Sequence, residues 1–150
     1  MGLLPFIRQA RRDDIGRIAE IESQSLALWS ETQFLEELGN PRSVFLVAEI
    51  SGSVMGYIAA RTVLDETEIF IIAAAAETRR RGIATALLDA MLDRLHHSSR
   101  AKIFLEVGGK NTAARAFYRN MGFHESGMRP DYYHNDDAIL MVRDYEGNCR

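Results

Sequence analysis

The sequence predicts an α/β (α+β) fold in which one mixed, mostly antiparallel sheet carries helices on both faces. Three observations support this prediction. Strand and helix patterns alternate along the 150 residues, and neither an internal repeat nor a linker rich in Pro, Gly and Ser interrupts them. Apolar residues make up 47% of the chain, which is ordinary for a globular protein. The length is typical of one domain, so we predict a single domain spanning residues 1–150.

The first 40 residues predict one short strand and two helices. The strand is Phe6 to Gln9. Asp13 or Asp14 is a candidate cap for the first helix, because the residues that follow show helical spacing of apolar side chains. Ser30 and Gln33 form the Ser-x-x-Gln pattern of a capping box, which indicates the start of the second helix.

The next segment predicts an antiparallel meander of three strands. Val44 to Ile50 and Val54 to Leu64 flank the turn residues 51–53, which is a hairpin pattern. A third apolar run from Glu68 to Ala74 follows after a short acidic turn.

The second half predicts further helices and strands. They are a helix from Gly82 to about His97, a strand Lys102–Val107, a helix from Asn111 or Thr112 to Met121 that stops at Gly122, and strands Phe123–Met128 and Ala138–Asp144. The strand, helix and strand between Glu68 and Val107 are expected to form a parallel crossover unit. Ligands bind at the carboxyl ends of the strands in such units.

The composition excludes several functional classes. The formal charge of −3 argues against nucleic acid as a direct partner, because nucleic-acid-binding domains are usually basic. No apolar run approaches the roughly 20 residues that span a bilayer, so no membrane association is expected. The single Cys149 cannot form an intramolecular disulfide, and we expect a cytoplasmic protein. The four histidines show no metal-ligand spacing, and no metal site is predicted: His96, His97, His124 and His134.

The segment Arg79–Thr85 is a candidate phosphate-binding loop, since it joins the end of a strand to the start of a long helix. Free N–H groups at a helix N-terminus bind phosphate, Gly82 lets a ligand approach the backbone, and Ala84 leaves little side chain in the way. The alternative is a solvated basic loop before an ordinary helix, and the spacing alone favours neither.

Two groups in the second half are candidate acid–base residues. Glu106 shares a strand face with Phe104, so it could be a cleft carboxylate that acts as a general base. Tyr118 lies two helical turns from Asn111 on one face and could donate a proton, while Asn111 could bind a ligand amide. Taken singly, each has a more common structural explanation: a glutamate facing water, a core tyrosine and a capping asparagine.

The order of these motifs resembles the GCN5-related N-acetyltransferase (GNAT) family. Arg79-x-x-Gly82-x-Ala84 is similar to the acetyl-CoA motif of that family, which is short and weak by itself. The later motifs narrow the resemblance to the branch that acetylates N-terminal alanine of ribosomal proteins. They are Leu105-Glu106-Val107, Asn111-x-x-Ala114-x-x-x-Tyr118-x-x-x-Gly122-Phe123, Arg129-x-x-Tyr132-Tyr133, Asp137-Ala138-Ile139-x-Met141 and, early in the chain, Trp29-Ser30.

The resemblance implies a sheet splayed between its fourth and fifth strands, with acetyl-CoA as cosubstrate. It assigns Glu106 as general base and Tyr118 as general acid. It also implies four binding roles. The backbone of Ile72, Ala73 and Ala74 would contact the acetyl and pantetheine end of acetyl-CoA, and Asn111 would bind the cofactor arm. The pyrophosphate would be bound by Arg80, Arg81, Gly82, Ile83, Ala84 and Thr85, and the acceptor by Trp29, Tyr132 and Tyr133. For the three aromatic residues, packing of loops onto the sheet is an equally good interpretation.

The activity implied by the resemblance is acetylation of a free α-amine by direct attack on the thioester in a ternary complex. The expected partner is a protein or peptide N-terminus, for which a ribosomal protein is a candidate. The alternatives are transfer to a small amine or to lysine, and a CoA-binding module without turnover, which the presence of both Glu106 and Tyr118 disfavours. Gly108-Gly109-Lys110 departs from the family pattern where relatives often carry an arginine, so the acceptor is less defined than the chemistry. The sequence does not define an oligomeric state.

Overall fold

The computed structural model describes residues 4–24, 29–78, 82–95, 100–133 and 135–146. These residues form seven strands and four α-helices. The strands are β1 (Phe6–Gln9), β2 (Ser43–Ile50), β3 (Ser53–Val63), β4 (Glu66–Ala74), β5 (Arg100–Gly108), β6 (His124–Tyr133) and β7 (Asp136–Glu146), and the helices are α1 (Ile15–Ser23), α2 (Glu31–Leu38), α3 (Ile83–Arg94) and α4 (Thr112–Asn120). Two 3₁₀ turns, Arg12–Asp14 and Ala76–Thr78, precede α1 and follow β4.

The strands form one mixed sheet in the order β1-β2-β3-β4-β5-β7-β6. The pairs β1–β2, β2–β3, β5–β7 and β6–β7 are antiparallel, whereas β4 and β5 are parallel and joined through α3. The predicted fold class and the crossover unit are therefore confirmed. The parallel ladder joins Glu66–Ile69 to Lys102–Leu105 and ends there, in agreement with the predicted splay after the fourth strand.

The chain divides into two compact units, and the first contains Met1–Thr62 and Ile71–Leu95. Its core is a cluster beneath α1 and α2, in which Ile18, Phe34 and Tyr57 are fully buried. Alternate residues of β3 face opposite ways, so Gly56 faces α3: a Cβ atom at Gly56 would lie 2.6 Å from Cγ2 of Ile83. Helices thus cover both faces of the strands in this unit, as predicted.

The second unit contains Val63–Phe70 and His96–Arg150. Its buried side chains come from β5, β7 and α4 and include Ile103, Leu105, Tyr118 and Met141. The N-terminus of α4 is capped by Asn111, whose Oδ1 accepts a hydrogen bond from the Ala114 N–H at 3.1 Å. Its C-terminus ends before Gly122, which has a left-handed φ of 92°.

The sequence located most elements correctly and misplaced several of their ends. The first helix begins with a 3₁₀ turn, and the Asp14 carboxylate accepts the Arg11 N–H instead of capping α1. The third helix ends at Arg94 rather than near His97, since Leu95 leaves the helical conformation with a ψ of 86°.

The largest difference lies in the last hairpin. Strand β6 was predicted to end at Met128, but it continues to Tyr133. The pairing with β7 shifts register between Arg129 and Tyr133, and Asp131 adopts a φ of 53°. Pro130, which cannot donate to a ladder, is accommodated by this irregularity on an edge strand. Tyr132 and Tyr133 therefore lie on a strand, not in the expected loop. No helix in the described part of the chain is long and apolar enough to cross a bilayer.

Candidate active site

The carboxylate of Glu106 occupies a partly buried position on β5, with 20% of its side chain exposed. One oxygen, Oε1, lies 3.3 Å from Nη2 of Arg129. The other oxygen, Oε2, is buried and accepts no hydrogen bond from any residue that the structure describes. Buried carboxylate oxygens normally have a donor, so the lack of one for Oε2 marks Glu106 as a candidate proton acceptor.

Arg129 and Tyr133 of β6 lie near this carboxylate, and Tyr132 contacts both of them. The guanidinium carbon of Arg129 lies 5.3 Å from the ring centre of Tyr132, and the rings of Tyr132 and Tyr133 meet edge to face at 5.2 Å. Burial raises the pKa of the Tyr133 hydroxyl, and the negative charge of Glu106 raises it further. The structure therefore brings Glu106 close to Tyr133 and Arg129, and Tyr132 joins this group through its contacts with those two residues.

Arg129 belongs to one of the sequence motifs, but the sequence alone assigned it no role. Its contact with Glu106 depends on the strand order β5-β7-β6, in which Glu106 pairs with Leu140 and Arg129 pairs with Ala138. No local pattern indicates that arrangement. The available signal was the position of Arg129 three residues before Tyr132, on the strand that carries the aromatic pair.

Tyr118 lies on α4 and is buried, with 7% exposure. Its ring packs edge to face against Phe117 at 5.2 Å and Phe123 at 5.7 Å. Burial raises the pKa of the Tyr118 hydroxyl above its ordinary value, so the group is protonated at neutral pH. The hydroxyl forms no hydrogen bond with the described residues, and its proton is therefore available to a ligand.

Asn111 caps α4 through Oδ1, which is the helix-capping role that the sequence offered as the alternative to ligand binding. Its side-chain nitrogen donates to no described residue and is available for a ligand. The turn around Asn111 is fixed by the Asp136 carboxylate, which accepts the Lys110 N–H at 3.0 Å. A Cβ atom at Gly108 would lie 2.8 Å from Oδ2 of this carboxylate, so a larger residue there would require the Asp136 side chain to move.

The predicted cofactor residues of the first unit lie at the end of β4 and the start of α3. Ile72, Ala73 and Ala74 are the last residues of β4 and are half-buried. Gly82 is the N-cap of α3 with a φ of 77°, and a Cβ atom added there would meet no atom of the described residues within 4 Å. The glycine is thus required by its backbone conformation, and no described residue fills the space beside it.

The first turn of α3 has no side-chain cap. The N–H groups of Ile83, Ala84 and Thr85 have no acceptor within the helix, as at any helix start. The side chain of Ile83 is buried, so only its backbone is available to a ligand. Arg80 and Arg81 lie outside the described residues.

Trp29, the third residue assigned to the acceptor, lies in the first unit just before α2. Its ring packs 5.2 Å from Phe34, and it is half-buried at the edge of the core cluster. Part of the Trp29 side chain therefore packs against the core, as in the alternative to acceptor binding. Within the described residues no group of His, Cys, Asp and Glu is arranged to hold a metal ion.

The chain is similar to several known proteins in sequence and in structure. The model of the acetyltransferase (GNAT) family matches residues 8–123. The ribosomal protein bS18-alanine N-acetyltransferase of Escherichia coli (strain K12) is 33% identical over 134 residues, covering 86% of this chain and 90% of that protein. An N-alpha-acetyltransferase of Sulfurisphaera tokodaii is 33% identical over 151 residues, covering 91% of this chain and 90% of that protein. The crystal structure of the E. coli ribosomal-protein-S18-alanine N-acetyltransferase matches with a TM-score of 0.87 at 30% identity and covers 95% of both chains.

Proposed function

Because the chain belongs to the acetyltransferase (GNAT) family and is an acetyl-CoA-dependent N-acetyltransferase, we propose that it acetylates the α-amine of a protein N-terminus that begins with alanine. The observation that carries this proposal is the Glu106 carboxylate, which has one buried oxygen without a donor among the described residues and lies near Tyr133. The bS18-alanine enzyme of E. coli supports alanine as the first residue and a ribosomal protein as the partner.

Glu106 and Tyr118 perform the two proton transfers of the reaction. The acceptor nitrogen attacks the thioester carbonyl carbon, forming the C–N bond of the amide, and the C–S bond breaks as the CoA thiolate leaves. Glu106 accepts the proton that the nitrogen loses, and Tyr118 donates a proton to the departing sulfur. No covalent enzyme intermediate is required, so no nucleophilic side chain is needed.

The acetyl-CoA substrate is assigned to the end of β4 and the start of α3. The first turn of α3 suits a pyrophosphate, because its N–H groups lack acceptors within the helix and no described residue fills the space beside Gly82. The half-buried backbone of Ile72 to Ala74 is extended and suited to hydrogen bonds with the pantetheine amides.

An α-amine suits a single carboxylate base better than a lysine does. The ordinary pKa of an α-amine is near 8, whereas that of lysine is about 10.4, so roughly a fifth of α-amines but only about one lysine in a thousand is neutral at pH 7.4. Tyr133 lies near Glu106 and Tyr132 packs against Tyr133, so both rings can contact the peptide that follows the amine.

Acetylation of defined peptides tests this proposal. The substrate is a peptide that begins with alanine and contains internal lysines, and its control is the same peptide with a blocked α-amine. We expect mass spectrometry to find the acetyl group on the first residue, and no product from the blocked peptide. Acetyl groups found only on internal lysines would contradict the proposal and assign the protein to lysine acetylation.

A further inference from the structure

A buried carboxylate that the proposed chemistry does not use lies at the end of α1. Glu22 is 2% exposed, and its Oε1 accepts the hydroxyl proton of Tyr57 on β3 at 2.5 Å. Tyr57 is itself completely buried, and burial together with Glu22 raises the pKa of its hydroxyl above the ordinary value. The hydroxyl therefore remains a donor to Glu22. A charged group is rarely placed in a core without a specific partner or role.

The second oxygen of Glu22 contacts the segment that leads into α2. Oε2 accepts the backbone N–H of Trp29 at 3.3 Å. The Trp29 ring packs against Phe34, whose ring lies 5.5 Å from Tyr57 in an edge-to-face arrangement. One carboxylate and one aromatic cluster therefore hold Trp29 by both its backbone and its side chain.

We propose that Glu22 is a positioning residue for the acceptor peptide, acting through Trp29. This inference rests on the proposed function and on the expectation from the family resemblance that Trp29 contacts the acceptor. A carboxylate suits this role because it can accept two hydrogen bonds at once, one from the core and one from the segment bearing Trp29. Glu22 holds the indole at a fixed distance from the core, so the peptide meets an ordered surface.

Substitution of Glu22 by methionine and by glutamine separates positioning from simple stability. Glu22→Met keeps the bulk but removes both acceptors, whereas Glu22→Gln keeps one oxygen for the Trp29 N–H and an amide for Tyr57. Glu37→Met is the matched control, since Glu37 is another fully buried carboxylate of this unit and pairs with Arg61. Both methionine variants should lower the melting temperature.

The expected kinetic result is specific to Glu22. In Glu22→Met the KM for the alanine peptide should rise about tenfold, while the KM for acetyl-CoA stays unchanged. Glu22→Gln should remain within about threefold of the wild type, and Glu37→Met should leave the peptide KM unchanged. An equal rise of the peptide KM in Glu22→Met and Glu37→Met would overturn the proposal.

A spectroscopic measurement tests the same link without activity. Trp29 is the only tryptophan in the chain, so ¹⁵N-tryptophan labelling gives a single backbone amide signal. In Glu22→Gln this signal should shift and its exchange with solvent should become faster, because a charge-assisted hydrogen bond is replaced by a neutral one. The Gln variant also tests the proposal if the methionine variant does not fold.

The proposed function and the positioning role of Glu22 are refuted by different results. If the wild-type protein acetylates no peptide α-amine, the proposed function is wrong, and the acceptor role of Glu22 is wrong with it. If transfer occurs but the Trp29 amide signal and its exchange are unchanged in Glu22→Gln, the positioning role alone is wrong. A shifted Trp29 signal with an unchanged peptide KM in Glu22→Met would also refute that role.

Discussion

At the scale of single residues, the two carboxylate oxygens of Glu106 lie in different environments. Oε1 faces the Arg129 guanidinium, which is 63% exposed, whereas Oε2 is buried without a donor among the described residues. The exposed ion pair contributes little to stability, because solvent screens it. The arrangement is therefore better suited to accepting a proton than to stabilising the fold.

Replacing Glu106 by glutamine should separate basicity from shape. We expect Glu106→Gln to lower kcat by about 10²-fold or more near neutral pH, a usual contribution of a general base. The loss should shrink at high pH, where the acceptor amine deprotonates without help. Steady-state kinetics from pH 6 to 10 measure this, with Glu125→Gln as the control because that carboxylate is already held by Arg115 and Arg119. An equal loss at every pH would indicate a positioning role instead.

Tyr118 offers a second residue-scale prediction. Burial keeps its hydroxyl protonated, and the hydroxyl has no hydrogen bond to a described residue, so Tyr118→Phe removes a proton donor without leaving a partner unpaired. We expect kcat to fall while thermal stability and the KM for acetyl-CoA stay near wild-type values. Calorimetric titration with acetyl-CoA provides the check. A fall in acetyl-CoA affinity as large as the fall in kcat would mean that Tyr118 binds the cosubstrate.

At the scale of elements, the sequence was most informative where the pattern is local. The capping box of Ser30 and Gln33 is present with both hydrogen bonds, and the Ser51–Gly52 turn has positive φ at both residues, as the hairpin pattern required. Strand alternation likewise placed Glu106 on a strand, and helical spacing placed Tyr118 on a helix, as the structure has them. The irregular end of β6 could not be predicted, because Pro130 normally ends a strand and only the pairing with β7 accommodates it.

The start of α3 gives an element-scale prediction with a matched control. Gly82 has a φ of 77° and Gly52 in the β2–β3 turn has a φ of 81°, and at both glycines a Cβ atom would meet no described residue within 4 Å. Glutamate at either position should cost about 1–2 kcal/mol of stability, from the left-handed backbone. Only Gly82→Glu should also weaken acetyl-CoA binding, because it places bulk and negative charge against the pyrophosphate. Calorimetry on both folded variants decides this, and equal acetyl-CoA affinities would refute the phosphate site.

At the scale of the whole molecule, the alternation of strands and helices predicted the fold class, because each helix must cover a sheet face and a parallel pair needs a crossover. The contact between Glu106 and Arg129 could not be predicted in this way, since it depends on β7 lying between β5 and β6. The site assignments, including Ile72 to Ala74 and Tyr132, stay predictions, as does the single domain over residues 1–150.

Arg8 links segments that are distant in the sequence, since it pairs with Asp14 at 2.8 Å and with Glu49 on β2 at 2.7 Å.

The Arg8–Asp14 pair makes the stability of the fold sensitive to acid. The hydrogen bond from Arg8 lowers the pKa of Asp14 below its ordinary value of 3.8, against the opposing effect of burial. A carboxyl group whose pKa is lowered by folding stabilises the folded state above its unfolded pKa, and this contribution is lost as the pH falls through the folded pKa. Asp14→Asn should therefore lower the free energy of unfolding by about 2 kcal/mol at pH 7, and this difference from the wild type should shrink below about pH 4.

Urea unfolding of both proteins between pH 7 and pH 2 measures the difference. Asp13→Asn is the control, because Asp13 is the exposed neighbour of Asp14. Its free energy of unfolding should follow that of the wild type at every pH, since neutralising an exposed side chain changes stability by less than about 0.5 kcal/mol. Comparing the two asparagine variants removes the effect of all other carboxylates, which protonate equally in both. A difference for Asp14→Asn that persisted unchanged to pH 2 would show that Asp14 contributes by its shape and hydrogen bonds and not by its charge.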